Sequence, residues 1–230
     1  MTTPPLFETA PDKVRVDVWS DVMCPFCYIG DTHLARAVEA FDQPVDIHYR
    51  SYQLMPELPT DQVVDLDALL EEKRGFPPGQ DKLMNAQVTE RAAEVGLTFR
   101  MDKAQTTNTR SAHRLSHFAK SHGRQHELIE RLFRAYFTDG LNVGDHDVLA
   151  DLAAEVGLDR AEALEALTSD AYAADVDNDV AAAHQLGISG VPFFVIDGKW
   201  AISGAQPVDM FTEALTTAWD EKSKVAVSSE

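Results

Sequence analysis

The sequence predicts an α/β fold in two pieces, β-α-β at the start and β-β-α at the end, interrupted by an inserted all-helical domain. Three observations predict it. Residues 14–53 read as strand, helix, strand. Residues 63–184 carry helical periodicity almost throughout. An apolar strand with a tight Asp197-Gly198 turn returns only at 191–203. The expected division is a discontinuous α/β domain at 13–62 and 185–222, a helical domain at 63–184, and flexible termini at 1–12 and 223–230.

The elements follow in order. Residues 1–12 carry three prolines and no apolar period, which predicts a loose arm. Val14, Val16 and Val18 alternate with polar residues and predict a strand at 14–19. Pro25 suits the first turn of a helix, and Ile29, Leu34, Ala37, Val38 and Phe41 recur at helical spacing after it, until Asp42-Gln43-Pro44 stops it. Residues 45–53 alternate again. Strand, helix and strand in so short a span predict a right-handed crossover with parallel strands. Two prolines make 54–59 a loop.

Helices are then expected at 65–73, 81–95, from Asn108 or Thr109 to 121, and at 126–137, 145–156, 160–167 and 172–186, with a few extended residues at 97–101. Asn108 or Thr109 suits an N-cap and Gly123 a C-terminal stop. Two AEVG stretches, at 93–96 and 154–157, are each followed by leucine; they read as two similar helix ends and not as a repeat. The hairpin of 191–196 and 199–203 and a closing helix at 208–219 complete the chain, with a frayed tail from Lys222.

The chain of 230 residues is long enough for one or two domains with a full core. Its 38 acids against 20 bases give a net charge of −18, which argues against a nucleic-acid partner. No apolar run approaches the ~18 residues of a membrane span, and the first residues lack a basic n-region and an apolar h-region. The expectation is a cytoplasmic protein with no membrane partner. In that reducing compartment a lone pair of cysteines two residues apart reads as catalytic or metal-binding, not as a staple.

That pair, Cys24 and Cys27, brackets Pro25 and Phe26 where the first strand hands over to the first helix. Unpaired amides and the helix dipole favour negative charge there, so the N-terminal thiol, Cys24, is the expected thiolate. A thiolate attacks a disulfide to form a mixed disulfide, and the second thiol, one turn deeper, resolves it. Zinc is the competing chemistry: His113 with His117, or His122 with His126, could complete a site at four-residue spacing. They fall on separate helices among Arg110, Arg114, Lys120 and Arg124, so no metal is expected. Inert buried thiols are the other alternative. His33, nine residues past Cys24, is given no chemical role. Ser20 and Asp21 tune the thiols or turn the chain, with the turn favoured. Asn108 caps a helix or lines the groove, and Trp19 and Tyr28 are read as packing residues. Val191-Pro192 opens an apolar strand, where proline cannot donate to a ladder; a cis bond there would present the Val191 backbone to an extended substrate.

Together SDVMCPFCYIG (20–30), YQLMPELP (52–59), NTRSAHRL (108–115) and GVPFFVIDGKWAISGAQP (190–207) resemble DsbA-like thioredoxin-fold oxidoreductases, in particular the FrnE-like branch. The resemblance covers most of the chain. It implies a thioredoxin fold with a helical insertion, Cys24 as nucleophile, Cys27 as resolving thiol and Pro192 in cis, with Pro25, Phe26 and Val191 beside the substrate. Phe26 stands where periplasmic DsbA proteins carry histidine, which implies a milder oxidant than theirs. The same fold hosts 2-hydroxychromene-2-carboxylate isomerases and kappa-class glutathione transferases, in which a single serine replaces the first cysteine.

The leading expectation is therefore a thiol–disulfide oxidoreductase acting on protein or small-molecule disulfides and dithiols. A glutathione-dependent isomerase or transferase on aromatic small molecules, or a non-catalytic chaperone-like binding module, are the alternatives. No cofactor is expected beyond the dithiol itself, with a low-molecular-weight thiol as a candidate reductant, and the protein is expected to be a monomer or homodimer.

Overall fold

A computed structural model describes residue 7, residues 9–65, 69, 77 and 79–228. The expected helix at 65–73 lies almost entirely outside them. The first strand, β1 (Val14–Ser20), is buried along its whole length. It pairs in parallel with β2 (Val45–Ser51), in register from Val14 opposite Val45 to Ser20 opposite Ser51. On its other side lies antiparallel β3 (Phe193–Ile196), followed by β4 (Trp200–Ser203), so the sheet order is β2-β1-β3-β4. The β3–β4 turn places Asp197 and Gly198 both at positive φ (54° and 69°), as the primed hairpin turn requires.

Helix α1 (Pro25–Glu39) covers one face of the sheet with the closing helix. That helix runs Val208–Ser228, beyond its expected end, and Lys222 within it binds both Asp197 and the Ala10 carbonyl. Leu34 and Ala37 of α1 meet Val14, Val16, Phe194, Phe211 and Leu215 in this layer. The other face of the sheet is closed by Ala182 and Ala183, which pack on Trp19 and Val195.

Between β2 and β3 the described chain is helical: α2 (Gln80–Glu94), α3 (Arg110–Ser121), α4 (Gln125–Arg134), α5 (His146–Glu155), α6 (Arg160–Thr168) and α7 (Ala173–Gln185). Both AEVG ends close alike. Gly96 and Gly157 take positive φ, and the amides of Leu97 and Leu158 reach back to the carbonyls of Ala92 and Ala153. One expectation needs correction. The expected 126–137 helix ends as α at Arg134 and continues as a π turn, Ala135–Asp139. Residues 97–100 lie outside helix and strand, and Phe99 stacks on Phe137 at 4.6 Å between ring centres and on Tyr28 at 5.9 Å. Tyr28 also stacks on Phe133 at 5.0 Å. The outer side of α1 is thus held by aromatic rings from the helical segment, and Tyr28 is a packing residue, as is Trp19.

The polar residues of β1 are buried too, because α7 covers the face they share. Asp17 binds Arg15 (2.6 Å) and Arg50 (2.9 Å), and Arg50 reaches Asp179 of α7 at 3.0 Å. Asp179 also accepts from the Ser51 amide (2.9 Å) and lies 3.1 Å from His117, while its backbone carbonyl accepts the Trp19 indole N–H.

A second buried acid, Asp31 of α1, accepts a 2.6 Å bond from the Tyr49 hydroxyl, which in turn accepts from His126 Nδ1 at 2.7 Å. Burial pushes its carboxyl from 3.8 up to about 6, against the pull of the Tyr49 bond. The folded state therefore holds this proton more tightly than the unfolded chain. Stability is fullest below the unfolded value and is lost as pH rises through the interval to about 6. The displacement corresponds to about 3 kcal/mol at most. Asp31→Asn should raise the unfolding free energy by up to that amount at pH 7.5 and by little at pH 4, read from urea unfolding at the two pH values.

Candidate active site

Cys24 is the N-cap of α1, with extended backbone (φ −87°, ψ 113°), and Pro25 occupies the first turn. Its amide donates to the Asp21 carbonyl at 3.0 Å and its carbonyl accepts from the Cys27 amide at 3.0 Å. This tight turn carries the chain from β1 into the helix and sets both thiols at its mouth. Both are free thiols, 4 % and 1 % exposed respectively. Cys24 Sγ donates to the Val191 carbonyl at 3.5 Å. The Val191–Pro192 peptide is cis, and the Pro192 carbonyl accepts from the Gly204 amide at 2.8 Å. Gly30 makes this approach possible: a Cβ there would lie 3.1 Å from Pro192 Cγ and 3.2 Å from the Phe194 ring. A side chain there would have to push the proline or the ring back by a few tenths of an ångström.

Cys27 is the deeper thiol. Burial pushes its ionisation well above the ordinary range, and its interaction with Cys24 adds to this; the Ser20 hydroxyl and the Asp21 amide act in the opposite direction without prevailing. A thiol so placed is a poor first nucleophile and suits an internal step.

Phe26, 38 % exposed, lies under the Arg91 guanidinium, which sits 5.4 Å from its ring centre. The two residues lead into a cleft of about 720 Å³ that also takes in His33, Glu94, Pro192 and Gln206. Here α2 faces the start of α1 and the β4 exit. Sequence reasoning gave His33 no role, yet it lines the cleft and its Nδ1 donates to the Gln206 carbonyl at 2.6 Å. The signal was present: Phe26 and His33 are seven apart on one helix face. Arg91 and Glu94 had no such signal, since their placement depends on how α2 folds back over α1.

Asp21 turns the chain as expected, and its carboxylate has further partners. It accepts from the Leu54 amide at 2.7 Å and stands 3.4 Å from His113 Nε2. Asn108 immediately precedes the α3 N-cap, which is Thr109. Its Oδ1 accepts from the Arg110 amide at 2.9 Å, and its Nδ2 donates to the Leu58 carbonyl at 2.7 Å and the Pro56 carbonyl at 3.3 Å, clamping the loop after β2. The histidines weighed as zinc ligands are dispersed. His113 faces Asp21, His117 faces Asp179, His122 bonds the Phe118 carbonyl and His126 the Tyr49 hydroxyl. Among the described residues no group of three His, Cys, Asp or Glu side chains is placed to hold a metal.

The four strands, the helices on both faces and a Cys-x-x-Cys pair opening α1 beside a cis-proline define a thioredoxin-fold protein with a dithiol site. More narrowly, the chain belongs to the DSBA-like thioredoxin domain family, whose model matches residues 15–216. It is 31 % identical to the uncharacterized protein YwbO of Bacillus subtilis over 214 residues, 92 % of this chain and 98 % of that one. Among solved structures it is similar to the probable DsbA oxidoreductase SCO1869 of Streptomyces coelicolor (38 % identity, TM-score 0.84, covering 90 % and 91 % of the two chains). At 22 % identity it shares its fold with the cytosolic disulfide reductase DsbM of Pseudomonas aeruginosa, solved with GSH (TM-score 0.65, covering 88 % and 98 %).

Proposed function

We propose that the protein is a thiol–disulfide oxidoreductase that works through a mixed disulfide on Cys24, resolved by Cys27. The observation that carries this reading is the Cys24 sulfur at the α1 N-terminus, 3.5 Å from the Val191 carbonyl beside cis Pro192. A helix N-terminus favours a thiolate over a thiol. An extended substrate pairing with the Val191 backbone would bring its own sulfur to Cys24, with Pro25 and Phe26 forming the adjoining rim. The deeper Cys27 then attacks Cys24 and frees the partner thiol; run backwards, the same steps oxidise a dithiol.

The substrates are disulfides or dithiols of proteins or small molecules, and the compartment is the cytoplasm. No described helix is long and apolar enough to cross a membrane. The reductant is a low-molecular-weight thiol of the glutathione class. Arg91 and Glu94 in the cleft offer one charge of each sign to such a zwitterionic peptide, and the DsbM structure carries GSH on the same fold.

Phe26 cannot stabilise a thiolate as a histidine at that position can, so the dithiol form is favoured less than in periplasmic DsbA. The potential is expected in the more reducing half of the span from about −120 mV (DsbA) to about −270 mV (thioredoxin). Equilibrium titration against glutathione, read by alkylation of the free thiols, measures it. A two-electron transition in that half supports the reading. A value near −120 mV contradicts the assignment to Phe26, and no reversible transition contradicts the function.

A further inference from the structure

We propose that the pocket between β2, α3 and α7 binds a small monovalent carboxylate, held by the Lys120 ammonium and the Asn178 side-chain amide. The site shares no residue with the dithiol cleft and is independent of the chemistry proposed there.

The pocket has a volume of about 400 Å³, within the range of small-molecule sites. Its walls are Arg50 of β2, His117 and Lys120 of α3, and Asp175, Asn178 and Asp179 of α7. Most of its polar groups are committed. Arg50 is bound to Asp17 and Asp179, and His117 lies against Asp179 and the Ser51 hydroxyl. At the rim, the Ser121 hydroxyl donates to the Phe118 carbonyl at 2.7 Å and meets the Tyr172 hydroxyl at 3.1 Å. Lys120 is different. It is half-buried in the pocket, yet it makes neither an ion pair nor a hydrogen bond among the described residues. The Asn178 side chain has no hydrogen bond among them either.

The charges show what is missing. Beneath the pocket the cations Arg15 and Arg50 are matched by the anions Asp17 and Asp179, so with His117 neutral that network is balanced without Lys120. Lys120 is a surplus cation, in a chain whose acids outnumber its bases by 38 to 20. A charge drawn out of water without a partner is costly. Burial, and after it the Arg50 charge, hold the Lys120 ammonium below the ordinary lysine range, against the pull of Asp179 and Asp17. Asp175 faces the same pocket, but it is exposed and makes no ion pair among the described residues.

One negative charge completes the balance, which favours a monoanion over a phosphate dianion. The two donors favour a carboxylate among monoanions. It has two oxygens to accept from the ammonium and the amide, whereas a halide presents a single centre. Bound there, the ligand would tie α3 to α7 on the side where both meet β2.

Separate titrations of the isotope-labelled full-length protein with sodium acetate, sodium chloride and sodium phosphate test this. They are followed by backbone amide shifts at about pH 8, where histidine is ordinarily neutral. Acetate should give saturable shifts centred on residues 117–121 and 172–179, at lower concentrations than chloride or phosphate. Lys120→Gln should weaken acetate binding by at least about 10-fold, and Asn178→Ala by less. Asp175→Asn should strengthen it by about 3-fold, because a like charge leaves the pocket mouth. The amide spectra verify that each variant is folded, and Asp175→Asn alone carries the test if Lys120→Gln does not fold. No saturable acetate response overturns the proposal, as does an unchanged affinity in Lys120→Gln or a weakened one in Asp175→Asn. Chloride or phosphate binding as tightly as acetate overturns the choice of a monovalent carboxylate.

Discussion

Cys24→Ser is expected to abolish disulfide-reducing turnover, lowering it at least about 10³-fold to the background of the reductant alone. The serine hydroxyl keeps the shape of the N-cap, so the fold and melting temperature should hardly change. What is lost is the group that forms the covalent bond. Cys27→Ser should behave differently: the first attack survives, and the protein then stalls as a mixed disulfide. The asymmetry follows from placement. Cys24 stands at the helix N-terminus against Val191, whereas Cys27 is a turn deeper with its ionisation pushed up by burial. An insulin-reduction assay on the two variants and the wild type checks it. Retained turnover in Cys24→Ser would contradict the nucleophile assignment. Activity that needs glutathione and survives Cys27→Ser would instead favour the isomerase or transferase chemistry.

Asp179→Ala should be the most destabilising single change, by about 3–5 kcal/mol. Asp179 is buried in α7 and gathers Arg50, the Ser51 amide and His117. Its removal leaves the Ser51 amide and one Arg50 nitrogen without that acceptor, and it cuts the link between the last inserted helix and β2. Burial opposes ionisation of this carboxyl, but the His117 bond, the Arg50 charge and the Ser51 amide outweigh it and hold it below the ordinary range. Its contribution is therefore present above the unfolded carboxylate value and lost as pH falls through the lower, folded one. The destabilisation should be full at pH 7 and shrink below about pH 4. Asp179→Asn, which keeps an acceptor for Ser51, should cost less. Urea unfolding of the three proteins at pH 7 and pH 3 measures all of this. A loss under 1 kcal/mol at pH 7 would contradict the role given to the buried pair.

Much of this architecture was legible because its signals are local. A proline after the first cysteine, Asp-Gly between two short apolar runs, and glycine followed by leucine at two helix ends each have one favoured backbone solution, and each adopts it. The proline at the mouth of a strand marked a place where a cis bond is permitted, and it was the resemblance to a known family that implied the cis form found there. What was not legible depends on distant packing. Arg15 and Asp17 are the polar residues of an alternating strand, and only α7 lying across them makes that face a buried ion network. Phe99 reads as a short extended stretch, and only the rings of Tyr28 and Phe137 turn it into a core residue. The π turn after Arg134 breaks no rule of helical spacing visible in the residues. Within the site, the thiols and Pro192 came from the sequence. Arg91, Glu94 and His113 come from helices far along the chain, and no short-range pattern points them at Cys24 or Asp21.

The central claim, a mixed disulfide on Cys24 resolved by Cys27, is tested most directly by peptide mass mapping. Cys27→Ser protein is reacted with a disulfide substrate, quenched in acid and digested without reductant. The account predicts the substrate thiol attached to the peptide containing Cys24, in a long-lived adduct that the wild-type protein clears to a Cys24–Cys27 disulfide. No adduct on Cys24, or an adduct that the wild type and Cys27→Ser clear at the same rate, would contradict it.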